Sequence, residues 1–333
     1  MSQACAAIVH REGDSEGAMI GSGRSMLFAP AFSGLGLERA SLALAVLSLL
    51  GAGCRSRGSS PEVHVVTAVP DSAVLTATVV RPAHTERPRV LVRTVAVGQL
   101  ARRYLLVVPV HPDPARKYPI VLFFHGDGGD GEGMQRNVPF ERASGDSVIV
   151  AYPDGIRRTW DLETLEDNKD IAFMEALLTD VARDYTIDRG QVFAVGYSNG
   201  GFFANVLACH RSSMIRAIAS SAGGAPYHQA ESWPNQFPKC PGQGPVAAMA
   251  LHGEEDMGVT LDSGRFSAEY WAYVNGCNMS EMETTAYPEC RAYRGCKPGK
   301  DVVFCQVPGL SHWVWDRAPE VEYEFFRREG MTP

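Results

Sequence analysis

No stripe of positive charge runs through this 333-residue chain: 31 Lys and Arg stand against 38 Asp and Glu, a formal net charge of −7. Gripping a phosphate backbone takes clustered Lys and Arg, so nucleic acid is not an expected partner. The G-x-x-x-x-G-K-S/T of a phosphate-binding loop and the H-E-x-x-H of a zinc hydrolase are also missing. The glycine-rich segment Gly126 to Gly133 lacks the G-x-G-x-x-G that opens a dinucleotide-binding helix. The cysteines make no convincing CxxC…CxxC set, which leaves a zinc site the weaker reading. No internal repeat is visible, as an envelope protein built on interaction repeats would require. The expectation is a protein that needs neither metal nor organic cofactor.

A run long enough to cross a bilayer is absent from the N-terminal region as well. The apolar stretch Ala40 to Gly53 (ASLALAVLSLLGAG) has 14 residues, short of the roughly 20 of a transmembrane helix, and Arg39 precedes it, as in the apolar region of a signal peptide. It ends at Cys54, after Leu50-Gly51-Ala52-Gly53. Small residues before a cysteine resemble a bacterial lipobox, which makes Cys54 the candidate for lipidation and the mature N-terminus; Gly51 stands where that motif usually has Leu or Val. The first 25 residues would form an unusually long leading segment, and Met26 is the alternative start. The chain is expected to be exported, either secreted or held at the cell envelope through Cys54.

What the sequence does have is a large second half with an even set of cysteines: Cys209, Cys240, Cys277, Cys290, Cys296 and Cys305. In an exported chain such a set points to disulfides, although six cysteines allow 15 pairings and the sequence does not choose among them. Residues 55–62 (RSRGSSPE) read as a polar tether. Residues 63–96 carry alternating β-branched residues broken by Pro70, Pro82 and Pro88, an N-terminal β extension with the first edge strand. Residues 97–333 form the catalytic domain. There, short apolar runs at 104–110, 120–124, 148–152, 192–196, 217–221, 246–251 and 302–307 alternate with helical patterns. This is the signature of a mostly parallel central sheet with helices on both faces. One helix is expected to hold Ile171, Met174, Leu178 and Val181 at helical spacing, with Asp170 as its N-cap.

The chemistry concentrates at Gly196-Tyr197-Ser198-Asn199-Gly200, preceded by the apolar run Val192-Phe-Ala-Val and followed by the apolar helix Phe202 to Ala208. G-x-S-x-G between a strand and a helix is the nucleophile elbow of the α/β-hydrolase fold. The turn lifts the serine out of the sheet, and the helix N-terminus faces the charge that develops in acyl transfer. A serine hydroxyl needs a histidine base and a carboxylate that sets the imidazole tautomer, and in this fold the order is Ser, acid, His. Of the histidines after Ser198, His210 falls at the far, exposed end of the elbow helix and His252 at the end of a strand. His228 lies in the loop after Gly223-Gly224 and is assigned to the pocket. His312, in the loop after the last strand, is the expected base. Glu254-Glu255-Asp256 follow the strand before it; Asp256 is the preferred acid, with Glu255 and then Glu254 behind it. The oxyanion hole is expected from the N–H of Asn199 and, in Phe124-His125-Gly126-Asp127, from the N–H of Asp127, with His125 structural.

These pieces resemble the feruloyl esterase and polyhydroxybutyrate depolymerase group, carbohydrate esterase family one in its broad sense. The resemblance runs from about Val97 to the C-terminus. It rests on Ala101-Arg-Arg-Tyr104-Leu-Leu-Val-Val-Pro109, Phe124-His-Gly126, Tyr152-Pro-Asp154-Gly155, Trp160, Asp170-Ile-Ala-Phe173, the elbow, Leu251-His-Gly253, Asn275-Gly-Cys277 and Gly309-Leu-Ser-His312. It implies an α/β-hydrolase with the triad Ser198, Asp256 and His312, no cofactor, and esters of plant cell-wall sugars or polyesters as substrates. Two departures stand out. Met257-Gly258-Val259 replaces the usual Val-Pro after the acid, and His312-Trp313-Val314-Trp315 shifts the aromatic of the usual His-x-Trp. Trp160, Tyr197, Tyr227, His228 and Trp313 are the candidate lining of an acyl pocket. A feruloyl ester is the leading substrate. Hydroxyalkanoate polymers and acetyl xylan are the alternatives, and a lipid-anchored binding protein that retains the hydrolase fold is the reading outside enzymes.

Overall fold

A computed structural model describes residues 88–242 and 244–332. The leader, Met26, Cys54, the tether and the segment before residue 88 lie outside the described residues. In chain order the strands are β1 (Arg89–Val97), β2 (Leu100–Val108), β3 (Tyr118–Phe124), β4 (Ile149–Pro153), β5 (Ile187–Tyr197), β6 (Ala217–Ser221), β7 (Glu231–Ser232), β8 (Pro238–Lys239), β9 (Ala247–Gly253), β10 (Asn278–Thr284), β11 (Cys290–Arg294) and β12 (Val302–Val307). The helices are α1 (Gly131–Asn137), α2 (Glu141–Ser144), α3 (Lys169–Val181), α4 (Asn199–His210), α5 (Leu261–Val274) and α6 (Ala318–Arg328).

Ten of these strands form one sheet in the order β1-β2-β4-β3-β5-β6-β9-β12-β11-β10. From β4 to β12 every neighbour is parallel, and antiparallel pairs close both edges. The parallel strands are buried on both faces, which is why they read as continuous apolar runs. Along β3, Ile120, Leu122 and Phe124 meet a core shared with Phe173 and Leu177 of α3, Phe203 and Leu207 of α4, and Trp271 of α5. Val121 and Phe123 turn the other way, to a core with Met134 of α1, Phe140, and Phe325 and Phe326 of α6. Helices thus cover both faces, as the sequence pattern implies. The stretch read as a β extension reaches this sheet at its end: β1 is the edge strand and pairs along its length with β2.

Two local expectations need correction. The N-cap of α3 is Asn168, whose side chain accepts from the N–H groups of Asp170 and Ile171. Asp170 instead forms a buried ion pair with Arg102 at 2.6 Å, because its position in the first turn aims the carboxylate at β2. His210 ends α4 but is buried, only 9% exposed. The hairpin β10–β11 carried no readable signal, since β10 (NMSEMET) is exposed along its whole length and shows no alternation. It is held by position: Cys277–Cys296 and Cys290–Cys305 flank it, and Cys209–Cys240 ties the end of α4 to the segment before β9. Such bonds persist in an oxidising compartment.

Glu322 of α6 is fully buried, with one oxygen 3.4 Å from Ser221 Oγ. Burial pushes its carboxyl up to about 8 from an ordinary 4.5. The native state therefore holds this proton over a range where the unfolded chain releases it. The contribution of the neutral form is complete below pH 4.5 and is lost as pH rises to about 8. Glu322→Gln is expected to raise the thermal midpoint relative to wild type at pH 8 and to leave it nearly unchanged at pH 5. Circular dichroism melts at both values measure this, and an equal offset at both would contradict it.

Candidate active site

The register of the parallel strands places the site. Phe124 of β3 pairs with Gly196 of β5, Tyr197 with Ser221 of β6, Ser221 with Leu251 of β9, and Gly253 with Val307 of β12. The carboxyl ends of these strands therefore line one edge, the place where open α/β sheets bind ligands. The loops that leave them carry Asp127, Ser198, Asp256 and His312.

Ser198 stands alone between β5 and α4, with φ 54° and ψ −120°. A non-glycine residue in that region costs roughly 1–3 kcal/mol, and the glycines around it make the turn feasible. A Cβ on Gly196 would lie 2.1 Å from the Gly200 carbonyl oxygen, and one on Gly200 would lie 2.4 and 2.5 Å from the carbonyl oxygens of Phe124 and His125. Those are backbone atoms of the buried end of β3, which cannot swing aside. Gly200→Ala is accordingly expected to destabilise the fold by about 2–4 kcal/mol, read from urea denaturation, and to lower turnover through the displaced elbow.

His312 brings two other residues to the serine. Its Nε2 lies 2.9 Å from Ser198 Oγ, and its Nδ1 lies 2.8 and 3.0 Å from the two carboxylate oxygens of Asp256. With Nδ1–H donating to the carboxylate, Nε2 is the acceptor for the serine hydroxyl. The Asp256 side chain is fully buried, and its Oδ1 accepts from the N–H groups of Gly258 and Val259, each at 2.9 Å. The Met257-Gly258-Val259 departure thus still builds a cradle for the Asp256 carboxylate. Gly258 packs closely there: a Cβ would approach to 3.0 Å of the His312 ring, and the ring would have to shift by a few tenths of an ångström. Glu254 bonds Gln306 at the surface, and both Glu254 and Glu255 are exposed.

His252, read from sequence as a strand end, also takes part. Its Nε2 lies 2.8 Å from the Val259 carbonyl and 3.3 Å from Asp256 Oδ2. A carbonyl only accepts, so Nε2 carries the hydrogen and presents it to both oxygens. Burial lowers the basicity of this imidazole, against the pull of Asp256. Tyr197 holds His312 from the other side: its hydroxyl donates to the His312 carbonyl at 2.8 Å.

The turn after β3 passes directly beside Ser198. A Cβ on Gly126 would stand 2.8 Å from the Tyr197 ring and 3.3 Å from Ser198 Cβ, which sets Asp127, the next residue, at the mouth of the site. Asn199 is the first residue of α4, where a helical N–H has no intrahelical acceptor. His125 braces this turn: Nδ1–H donates to the Gly126 carbonyl at 2.7 Å, and Nε2 accepts from the Gly155 N–H at 2.9 Å. Burial lowers its pKa, and a ring nitrogen that accepts from Gly155 N–H carries no proton of its own.

The expected pocket aromatics divide. Trp160 does not line an open pocket: it is 3% exposed, stacks on Phe203 at 4.9 Å, and donates Nε1–H to the His125 carbonyl at 2.8 Å. Its backbone N–H donates to Asn199 Oδ1 at 2.7 Å, so it braces the turn after β3 against the start of α4. The sequence could not separate a buried indole from an exposed one. Tyr227 is exposed, bonds Ser263 Oγ and packs on Phe202 and Phe266; His228 beside it is exposed. Trp313 is 43% exposed and stands edge-on to Tyr197 at 5.0 Å. Among the described residues no group of three or more His, Cys, Asp or Glu is placed to hold a metal.

No family model matches the sequence. Feruloyl esterase D of Neurospora crassa is 28% identical over 260 residues, 71% of this chain and 84% of that protein. Feruloyl esterase C of Emericella nidulans is 29% identical over 198 residues, 57% of this chain and 68% of that protein. Among solved structures, an acetyl xylan esterase from Aspergillus awamori superposes with a TM-score of 0.58 at 18% identity, covering 72% of this chain and 99% of its own. That likeness is one of fold.

Proposed function

We propose that this chain, which is 28–29% identical to feruloyl esterases, is a carboxylic ester hydrolase of the feruloyl esterase group, an exported serine esterase that cleaves feruloyl esters through Ser198, His312 and Asp256. The observation that carries the mechanism is the relay of two short contacts on one imidazole, 2.9 Å to Ser198 Oγ and 2.8 Å to Asp256.

Ser198 Oγ attacks the ester carbonyl carbon while His312 Nε2 takes its proton. The carbonyl oxygen becomes an oxyanion and is met by the N–H groups of Asn199 and Asp127. As the intermediate collapses, the ester C–O bond breaks and His312 returns the proton to the leaving alcohol. A water molecule then repeats the sequence on the acyl-enzyme, releasing the acid and restoring the serine. Asp256, supported by His252 and two backbone N–H groups, holds the imidazole in the tautomer that this needs.

Export is supported by the three disulfides, by the apolar run before Cys54 and by the secreted character that such bonds imply. On this reading Cys54 is where a lipid would attach. The test is release of acid from methyl ferulate, p-nitrophenyl acetate and 3-hydroxybutyrate oligomers by residues 55–333. Methyl ferulate is expected to give the highest kcat/KM. Preference for the acetyl or hydroxybutyrate ester would replace the feruloyl assignment, and turnover of none would favour a binding protein on the same fold.

A further inference from the structure

One short loop, Asp154 to Trp160, leaves β4 and ties together the two segments that carry the candidate oxyanion donors. At its start it holds the turn after β3: Asp154 Oδ1 accepts from the Gly131 N–H at 2.7 Å, and the Gly155 N–H donates to His125 Nε2 at 2.9 Å. At its end it holds the start of α4, where Asn199 Oδ1 accepts from the Trp160 N–H at 2.7 Å and from the Thr159 hydroxyl at 3.3 Å.

Arg158 fastens the middle. Its carbonyl accepts from the Gly128 N–H at 2.8 Å, its Nε–H donates to the Gly129 carbonyl at 3.1 Å, and its Nη2 meets Asp130 Oδ2 at 3.2 Å. Those three residues follow Asp127 directly. The Gly129 N–H goes to the Gly126 carbonyl at 3.0 Å, and among the described residues the Asp127 N–H finds no acceptor, as an oxyanion donor requires. The loop holds this arrangement under strain, with Arg157 at φ 54° and Arg158 at φ 64°, a region that glycine enters freely and other residues do not. Strain of this kind persists where surrounding contacts over-determine the backbone. Arg158 has such contacts; the exposed Arg157 side chain makes no bond among the described residues.

We propose that Arg158 is a positioning residue for acyl transfer: it fixes Gly128, Gly129 and Asp130 so that the Asp127 N–H stands where it can share one oxyanion with the Asn199 N–H. The proposal rests on the reading of Asn199 and Asp127 as the oxyanion donors. A displaced donor weakens the charged transition state more than the bound ester, whose carbonyl oxygen is still neutral, so the loss falls on kcat and not on KM.

Glycine at 158 and glycine at 157 separate the strap from the strain, since both suit a positive φ and only the first removes a bonded side chain. On whichever ester the wild type cleaves fastest, Arg158→Gly is expected to lose about five- to tenfold in kcat, with KM within about twofold and no fall in thermal midpoint. The inhibition constant of phenylboronic acid is expected to rise by the same factor. In that adduct Ser198 Oγ bonds to boron, His312 keeps the released proton, and the tetrahedral boron carries the negative charge beside the same N–H groups. Arg157→Gly is expected to stay within about twofold of wild type in kcat. An unchanged kcat in Arg158→Gly, a loss confined to KM, a fall in midpoint that accounts for the lost rate, or an equal loss in Arg157→Gly would each overturn the proposal while the esterase reading stands. No turnover of any ester by the folded wild type would remove that reading and the proposal with it.

Discussion

Ser198→Ala is expected to lower kcat by about 10⁴–10⁶-fold on every ester the wild type cleaves, while the thermal midpoint stays close to that of the wild type. The rate falls because no other described nucleophile is placed against His312 Nε2. The fold survives because the hydroxyl's one hydrogen bond is to a half-buried imidazole that water can reach, so its removal strands no buried group. Alanine also keeps the Cβ and so meets the same backbone demand at φ 54°. A residual rate above that in water should persist from the Asn199 and Asp127 N–H groups. Initial rates with active-site-free controls, alongside circular dichroism, test both halves. Retention of more than about a tenth of kcat would remove Ser198 from the mechanism.

Asp256→Asn is expected to cost about 10³–10⁴-fold in kcat with little change in KM. The amide oxygen can still accept from Gly258 and Val259, so the loop should hold its shape. The amide NH₂ then faces His312 Nδ1, which must turn acceptor, and the imidazole shifts its proton to Nε2. In that tautomer it offers a hydrogen to Ser198 Oγ instead of a lone pair, and the serine cannot be deprotonated. The same NH₂ meets the His252 Nε2–H, a clash of donors that adds to the loss. Glu254→Ala and Glu255→Ala, by contrast, should stay within about twofold of wild type, since both side chains are exposed. If Glu255→Ala lost as much as Asp256→Asn, the choice among the three carboxylates would have to be revised.

The elbow was readable in the sequence because its cause is local. Gly196 and Gly200 are demanded by contacts within a few residues of Ser198 and by the strand beside it, and the apolar runs of β3, β5, β6, β9 and β12 reflect burial on both faces. Asp170 shows the opposite case. A helix-start residue was legible there, but its ion pair with Arg102, 68 positions away, was not, and the cap fell to Asn168. Trp160 was misjudged for a similar reason, and His252, rightly placed at a strand end, gave no sign of its contact with Asp256: aromatic or imidazole identity says nothing of which groups surround it, and both are buried.

The sequence by itself determined the α/β order of the chain, the strained serine turn, the glycine turn after β3 and an even set of cysteines, since each depends on near neighbours or on the period of burial. Only the tertiary structure decided the rest. It chose Asp256 from three adjacent carboxylates and seated it 56 positions from His312, which in turn lies 114 positions from Ser198. It also selected one of 15 cysteine pairings and set His252 behind Asp256. These are matters of strand register and loop direction, which sum over contacts between distant segments, and no local pattern encodes that sum.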